Sequence, residues 1–470
     1  MRYALALGIG LSWLTLAVPA GARTLVVTQA PVGYPHETSI QAAVDAAQPG
    51  DWIMIDAGVY HEPVYITTPN IHLRGIDRNR VIVDGQHQVG NGIEVWKADG
   101  VSIENLTVRD FDRATLDAED GNEVWWNGGD GSGEIGIHGW LGRYLTTYDT
   151  DLLGGYGIFM SNSVNGALDQ VYASGFNDSG LYLGACRDCQ ARISHALIEN
   201  NALGYSGTNS GGHIIVENSV FRNNSNGVGP NSLNNDDRPP PQDGACDSSS
   251  NTSDTPTFSS TRIARCTIFR RNLVESNDNF STPANSTTAS IPWGNGFILI
   301  GTYADVVEDN DIRNNPSVGI LGIENPDPFP PTADTVYFQL SGNQIVDNRF
   351  AGNGGDASPY SGDITLAGGI FGAMLSVNNC VSGNNPGKTY PANIETQWGC
   401  QNETTPNPGG DPLNYILDLQ AQSQARTSVP QPVPPPQPTM FQPCAGVPVN
   451  PLCASLRTPT LHVYKSRVTP

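Results

Sequence analysis

Apolar residues recur along this 470-residue chain with two periods. Near its start, Ile40, Ala43, Val44 and Ala47 fall at i, i+3, i+4 and i+7, one face of a helix. Ser39 can cap that helix and Pro49-Gly50 stops it. From Trp52 the pattern turns to short strands broken by Gly turns, at 52–62 and 64–66. A longer repeat then appears. Gly followed by an apolar residue recurs at Gly157, Gly180, Gly204 and Gly227, in steps of 23, 24 and 23, and again at Gly296 and Gly319, a step of 23. Asn177, Asn200 and Asn223 form a second column with the same spacing. A coil of three short strands and three turns takes about this many residues, and stacked coils bury a face that one coil cannot. The repeat predicts an all-β solenoid of roughly a dozen coils, with stacked Asn side chains forming an amide ladder. Three stretches break the period: 111–134, 231–261 and 325–333. In a solenoid such insertions project as loops, often on the binding face.

The opening residues are specific enough to compare. S-I-Q-A-A-V-D-A-A-Q-P-G-D at 39–51, then I-x-I-x-x-G-V-Y-H-E at 53–62, resembles the start of right-handed parallel β-helix proteins, in which a short helix caps the open end. The segments 81–85 and 103–109 resemble early coils of that family. The resemblance spans roughly residues 24–400 and implies a single-stranded right-handed parallel β-helix of the pectate-lyase-like, carbohydrate-active superfamily. Its members include polysaccharide lyases, hydrolases and epimerases, so the fold does not choose a reaction. The expected organisation is a signal peptide at 1–22, the β-helix domain at 23–402, a Pro-rich linker at 403–443 and a short segment with a Cys pair at 444–470.

Composition narrows the setting. Arg2, an apolar stretch from Ala4 to Val18 and the small residues 20–22 form a secretory signal, and no other long apolar run predicts a membrane span. A secreted, periplasmic or cell-surface protein, a monomer, is expected. With 24 basic and 46 acidic residues the net charge is -22, which repels nucleic acid and anionic membranes. An acidic polysaccharide would need a bridging divalent cation. Eight cysteines in an exported chain suggest disulfides between sequence neighbours: Cys186 with Cys189, Cys246 with Cys266, Cys380 with Cys400, Cys444 with Cys453. Cys186-Arg-Asp-Cys189 could instead be a redox motif or half a zinc site, but strand-like residues surround it and no second such pair completes a zinc site.

Candidate chemistry follows from strand alternation. If Ile137, Ile158 and Leu181 point inward, His138, Phe159 and Tyr182 point outward on neighbouring coils, and Trp140 shares their face. Aromatic rings in such a strip can pack on the apolar faces of sugars, so Trp140, Phe159 and Tyr182 are the expected substrate platform. Asp149 and Asp151 precede the Gly157 strand and can serve as acid and base, or hold calcium; as turn residues they also have an ordinary role. His138 is a candidate general base beside them. The acidic, Gly-rich loop at 117–134 offers Asp120, Asp130 and Glu134 as calcium ligands. The order of Asn235-Asp-Asp237 and Gly211-Gly-His213 is the reverse of that in pectin-cleaving hydrolases, the D-P-H of alginate epimerases is absent, and His213 lies among core-like strand residues. Two functions remain: an exported protein that acts on or binds a polysaccharide or surface glycan, or a non-catalytic extracellular scaffold for adhesion.

Overall fold

The computed structural model describes residues 21–129, 134–233, 266–327, 336–367, 376–400 and 412–456. Most of the segment expected to be a signal peptide therefore lies outside the described residues, as do Asn235-Asp-Asp237. Strands from successive coils stack in parallel into three sheets of 12, 10 and 11 strands, visited in that order within each coil. This is a right-handed parallel β-helix, the hand that parallel crossovers take as a rule. The helix Ile40–Ala46 closes its N-terminal end: Ile40, Ala43 and Val44 are buried, and the Ser39 hydroxyl accepts the Ala42 amide.

The core runs down the middle of the stack. In the first sheet, Ile53, Leu73, Ile103, Gly142, Leu168, Ile193 and Val216 lie in register on the inner face. Gly142 breaks the aliphatic series because neighbouring side chains fill its place; an added Cβ would come within 2.6 Å of Leu168 and 3.1 Å of Leu145 and of the Trp126 ring from the third sheet. The Gly column behind the 23-residue repeat has a similar cause. A Cβ at Gly180, Gly204, Gly227 or Gly296 would meet a neighbouring coil at 2.4–2.6 Å, in three of the four cases a backbone carbonyl.

The amide ladder exists, one residue away from the expected column. Asn200 and Asn223 take left-handed conformations (φ 63° and 51°) at the corner between the second and third sheets. The next residue turns inward, so the buried ladder is Asn201, Asn224, Asn277, Asn315 and Asn353. From Asn224 onward, each Oδ1 accepts both the backbone N–H and the Nδ2 of the Asn one coil before, at 2.9–3.2 Å. A parallel ladder, Asn272, Asn310, Asn348 and Asn384, fills the corner between the first and second sheets. Both end on a carboxylate, Asp363 and Glu395, which accepts the last amide.

Two expectations about loops and tails need correction. The stretch 111–134 is not one loop, because Val124–Asn127 is a strand of the third sheet. The span taken as a Pro-rich linker contains the helix Leu413–Gln424, whose Tyr415, Ile416 and Leu419 pack on Ile298 and Leu321 outside the third sheet. The chain then returns along the whole solenoid as a strap. Val429 N–H reaches the Ser281 carbonyl and Gln431 N–H the Thr150 carbonyl, both at 2.9 Å. Gln437 pairs with Asn79 through two hydrogen bonds, and Arg74 donates to the Pro443 and Ala445 carbonyls. Leu452 and Cys453 finish against Val26 and Met54, beside the first coil. Disulfides join Cys186 to Cys189, Cys380 to Cys400 and Cys444 to Cys453. Cys266 is disulfide-bonded too, while Cys246 lies outside the described residues. The strand Cys186–Arg187 opens no helix, which removes the redox-motif alternative. Among the described residues no helix is long and apolar enough to cross a membrane.

Candidate functional site

Two clusters stand out, at one corner of the solenoid and on the sheet that leads away from it. The strand Thr107–Asp112 and the strand Thr146–Tyr148 pair in register in the second sheet, Thr107 opposite Thr146 and Arg109 opposite Tyr148. Continuing that register sets Asp110-Phe-Asp112 alongside Asp149-Thr-Asp151. Two Asp-x-Asp segments from adjacent coils, a strand end and a turn, thus meet at the corner between the second and third sheets. The preceding coil adds His87 through the long, bulged strand Val81–Val89, whose ladder shifts register between Asp84 and Gln88. Gln86 and His87 take left-handed conformations there (φ 53° and 61°), which turns the imidazole over the corner.

The result is a tight group: one donor atom from each of His87, Asp112, Asp149 and Asp151 lies within 4.8 Å of all the others. His87 Nδ1 sits 3.3 Å from Asp112 Oδ1 and 3.2 Å from Asp151 Oδ2. Asp110 Oδ1 accepts the Thr150 amide and hydroxyl at 3.0 and 2.8 Å. Asp149 is enclosed and accepts the amides of Asp151, Leu152 and Gly154, so it also organises the turn. Glu123 is fully buried; its Oε1 accepts the Phe111 amide. Burial pushes Glu123 and Asp149 well above the usual carboxylate range, reinforced by Asp149 for the first and by Asp151 for the second. Burial and the Asp151 charge raise Asp112 as well. Burial works against protonation of His87, but the Asp112 hydrogen bond and the charges of Asp151 and Asp110 outweigh it and raise its pKa. The exposed edge of the group is His87 with half-buried Asp151, an imidazole and a carboxylate placed to exchange a proton with something outside.

The outer face of the third sheet carries the aromatics. Tyr65, Glu94, Trp125, Phe159 and Tyr182 stand in register on five successive coils. Trp125 and Phe159 stack with centroids 4.9 Å apart and planes at 10°, and Tyr156 stacks on Phe159 at 4.4 Å. Tyr182 meets Phe159 edge-on and is buried. Trp125, Phe159 and Tyr156 are partly exposed, and Tyr65 is 47% exposed. The stack stops at Trp125, since its register neighbour on the preceding coil is Glu94. Glu94 is held by the amides of Asn91 and Asn127, at 3.0 and 2.9 Å. The two clusters adjoin in sequence: Glu123 is two residues before Trp125, and the Asp149 turn runs into Tyr156.

The expected residues are thus partly regrouped. Asp149 and Asp151 come together with each other, and Phe159 and Tyr182 share a face. His138 does not join the carboxylates: its strand, Ile137–Arg143, belongs to the first sheet, and its imidazole faces Asp99 at 3.8 Å. Trp140 is no platform. It is buried in the core, its ring 5.9 Å from that of Trp126. The cause is that the strand before Tyr156–Ser161 in the third sheet is Val124–Asn127, so Trp125 holds the position assigned to Trp140. Of the expected calcium ligands, Asp120 accepts the Ala114 amide, Glu134 is exposed ahead of Ile137, and Asp130 lies outside the described residues. His213 sits at a corner (φ 54°) and pairs with Asp188. His87 and Asp112 were not anticipated, and Glu123, expected only as part of the acidic loop, comes to the Asp149 corner instead. The repeated T-x-x-D-x-D at 107–112 and 146–151 was the available signal.

No protein-family model and no curated protein matches the sequence. Among solved structures, the chain is similar to the A-module of the mannuronan C-5 epimerase AlgE4 of Azotobacter vinelandii, at 14% identity over 74% of this chain and 90% of that one, with a TM-score of 0.48. It is also similar to a pectin methylesterase in complex with a hexasaccharide (13% identity, 83% of this chain and 100% of that one, TM-score 0.39). A third is an alginate lyase from Paenibacillus sp. str. FPU-7 (13% identity, 70% of this chain and 97% of that one, TM-score 0.38).

Proposed function

We propose that this is an exported carbohydrate-active protein that binds a polysaccharide along the outer face of the third sheet, with one sugar ring seated on Trp125. The observation that carries the reading is the aromatic row that ends at Trp125 and resumes at Tyr65, with the Glu94 carboxylate between them. Rings left partly in water on a rigid face are suited to the C–H faces of pyranoses, and a carboxylate fixed by two amides is suited to their hydroxyls. A chain laid across the coils meets one row of side chains about every 4.8 Å, so successive sugars can be read by successive coils. Three disulfides fit an oxidising compartment. If the protein also cleaves or epimerises its ligand, the His87–Asp151 pair is the group placed to move the proton.

The test is a binding screen against neutral and uronic polysaccharides, with Trp125→Ala and Tyr65→Ala compared with the native protein. Both side chains reach solvent, so the variants should fold. Loss of retention by about tenfold or more in Trp125→Ala is expected from removing a stacked aromatic contact. Unchanged retention in both variants overturns the proposed face. Reaction products that disappear in His87→Ala would place chemistry at the corner, whereas binding without product would make the protein a glycan-binding scaffold.

A further inference from the structure

We infer that the corner formed by His87, Asp112, Asp149 and Asp151 is a binding site for one divalent transition cation, of the Zn²⁺ or Mn²⁺ class, that pins the C-terminal strap to the solenoid. The inference does not rest on the aromatic face, but it gives His87 and Asp151 the role of metal ligands in place of proton transfer.

The amide ladder supplies the first argument. Asn can stack without limit because each side chain both donates and accepts, and along this corner it does so from Asn201 to Asn353. At the far end the last donor meets Asp363. Toward the N-terminus, carboxylates occupy the same corner with no amide between them, and ionised carboxylates only accept. Asp112, Asp149 and Asp151 gather there with one imidazole, beside Asp110 and Glu123, and Arg109 reaches Asp110 at 3.6 Å. Buried carboxyl groups of this kind are found protonated, paired or on a metal.

The second argument is an atom. Glu123 is fully buried, one oxygen is held by the Phe111 amide, and the other has no hydrogen-bond partner. The Phe111 amide that holds it lies between Asp110 and Asp112, so the Glu123 carboxyl sits beside this cluster. A bound ion gives it an electrostatic partner, directly or through a coordinated water.

Geometry and ligand type choose the class of ion. His87 Nδ1 lies 3.3 and 3.2 Å from its carboxylate neighbours. Ligands at about 2.0–2.1 Å around a four-coordinate ion stand roughly 3.3 Å apart. An imidazole among carboxylates suits zinc or manganese, whereas calcium takes six to eight oxygens at longer range. Asp149 is already oriented by backbone amides, as ligating carboxylates usually are. Thr150, between the two Asp of the turn, gives its carbonyl to the Gln431 amide of the strap, so fixing this turn also fixes the strap.

The experiment uses full-length protein stripped of metal and titrated separately with Zn²⁺, Mn²⁺ and Ca²⁺ by calorimetry, with Mn²⁺ also followed by electron paramagnetic resonance. Expected are one site per chain, tighter for Zn²⁺ or Mn²⁺ than for Ca²⁺, and a loss of at least tenfold in Zn²⁺ affinity in His87→Ala and in Asp151→Asn. His87 is exposed and Asp151 half-buried, so both variants should keep the native circular dichroism; that control is run alongside. Hydrogen exchange around residues 429–437 should slow on metal addition in the native protein and not in His87→Ala. No saturable binding, equal binding in the variants, or tighter Ca²⁺ than Zn²⁺ and Mn²⁺ would overturn the inference.

Discussion

Asp305 shows what a single side chain contributes in so dry a core. It precedes the strand Val306–Glu308, is 4% exposed, and accepts from the amide and hydroxyl of Thr267. Burial pushes its carboxyl up to about 7, with the Thr267 bonds opposing. In the unfolded chain an Asp titrates near 3.9. Between about pH 4 and 7 the folded state therefore holds a proton that the unfolded state releases, and stability falls as pH rises through that window. Asp305→Asn removes the ionisation. It should be more stable than the native protein above about pH 7, by at most roughly 4 kcal/mol, with the gain vanishing near pH 4. Urea unfolding at both pH values measures it, and an equal difference at the two would refute the ionisation argument. The same scale explains what was hard to read in the sequence. Asp149 and Asp151 were visible as a pair, but His87 reaches them only through a bulge and a left-handed turn, which no periodicity encodes. Trp140 was misassigned because alternation tells inside from outside only once the strand is in the right sheet.

At the scale of elements, the repeat was legible where it is regular. Each Gly of the column sits beneath a neighbouring coil, and each coil restarts with an inward apolar residue, so spacing alone located the strands from 157 onward. The ladder was displaced by one because sequence cannot tell which of two adjacent Asn residues takes the left-handed corner. Their energetics differ accordingly. Asn277 lies fully inside the ladder: its Oδ1 satisfies the Asn224 backbone amide and side chain, and its Nδ2 reaches the Phe221 carbonyl. Asn277→Ala orphans these groups and should cost about 2–4 kcal/mol, since each buried unsatisfied group costs about 1–3. Asn223 is exposed at the corner with positive φ. Asn223→Gly keeps that conformation and should change stability by less than about 1 kcal/mol. Similar losses in the two variants, measured by denaturant unfolding, would mean that the ladder is not what holds this corner.

The whole molecule is a solenoid fastened by its own C-terminus. Solenoids are nearly one-dimensional: each coil touches its neighbours, ends fray, and cooperativity weakens with length. The strap changes that connectivity. It leaves the helix Leu413–Gln424 near the C-terminal coils, touches Thr150 midway, and docks Leu452 and Cys453 on Val26 and Met54 at the first coils. Pro-rich composition gave its extended conformation but not its docking, because the partners that hold it are backbone groups and side chains hundreds of residues earlier, such as Asn79 and Arg74. An extended chain rich in proline loses less conformational freedom on binding than a flexible one, which suits it to lie along a surface. Undocking its end should therefore uncouple the two ends of the solenoid. Leu452→Asp places a charge against Val26 and Met54. The native protein should melt in one sharp transition, and the variant should show an early, separate loss of the N-terminal coils. Hydrogen exchange should rise at residues 437–453 and in the strand Thr24–Val27, while the buried ladder from Asn224 to Asn353 stays protected until the main transition. A variant that melts once, at a uniformly lower temperature, would show that the strap adds stability without joining the ends.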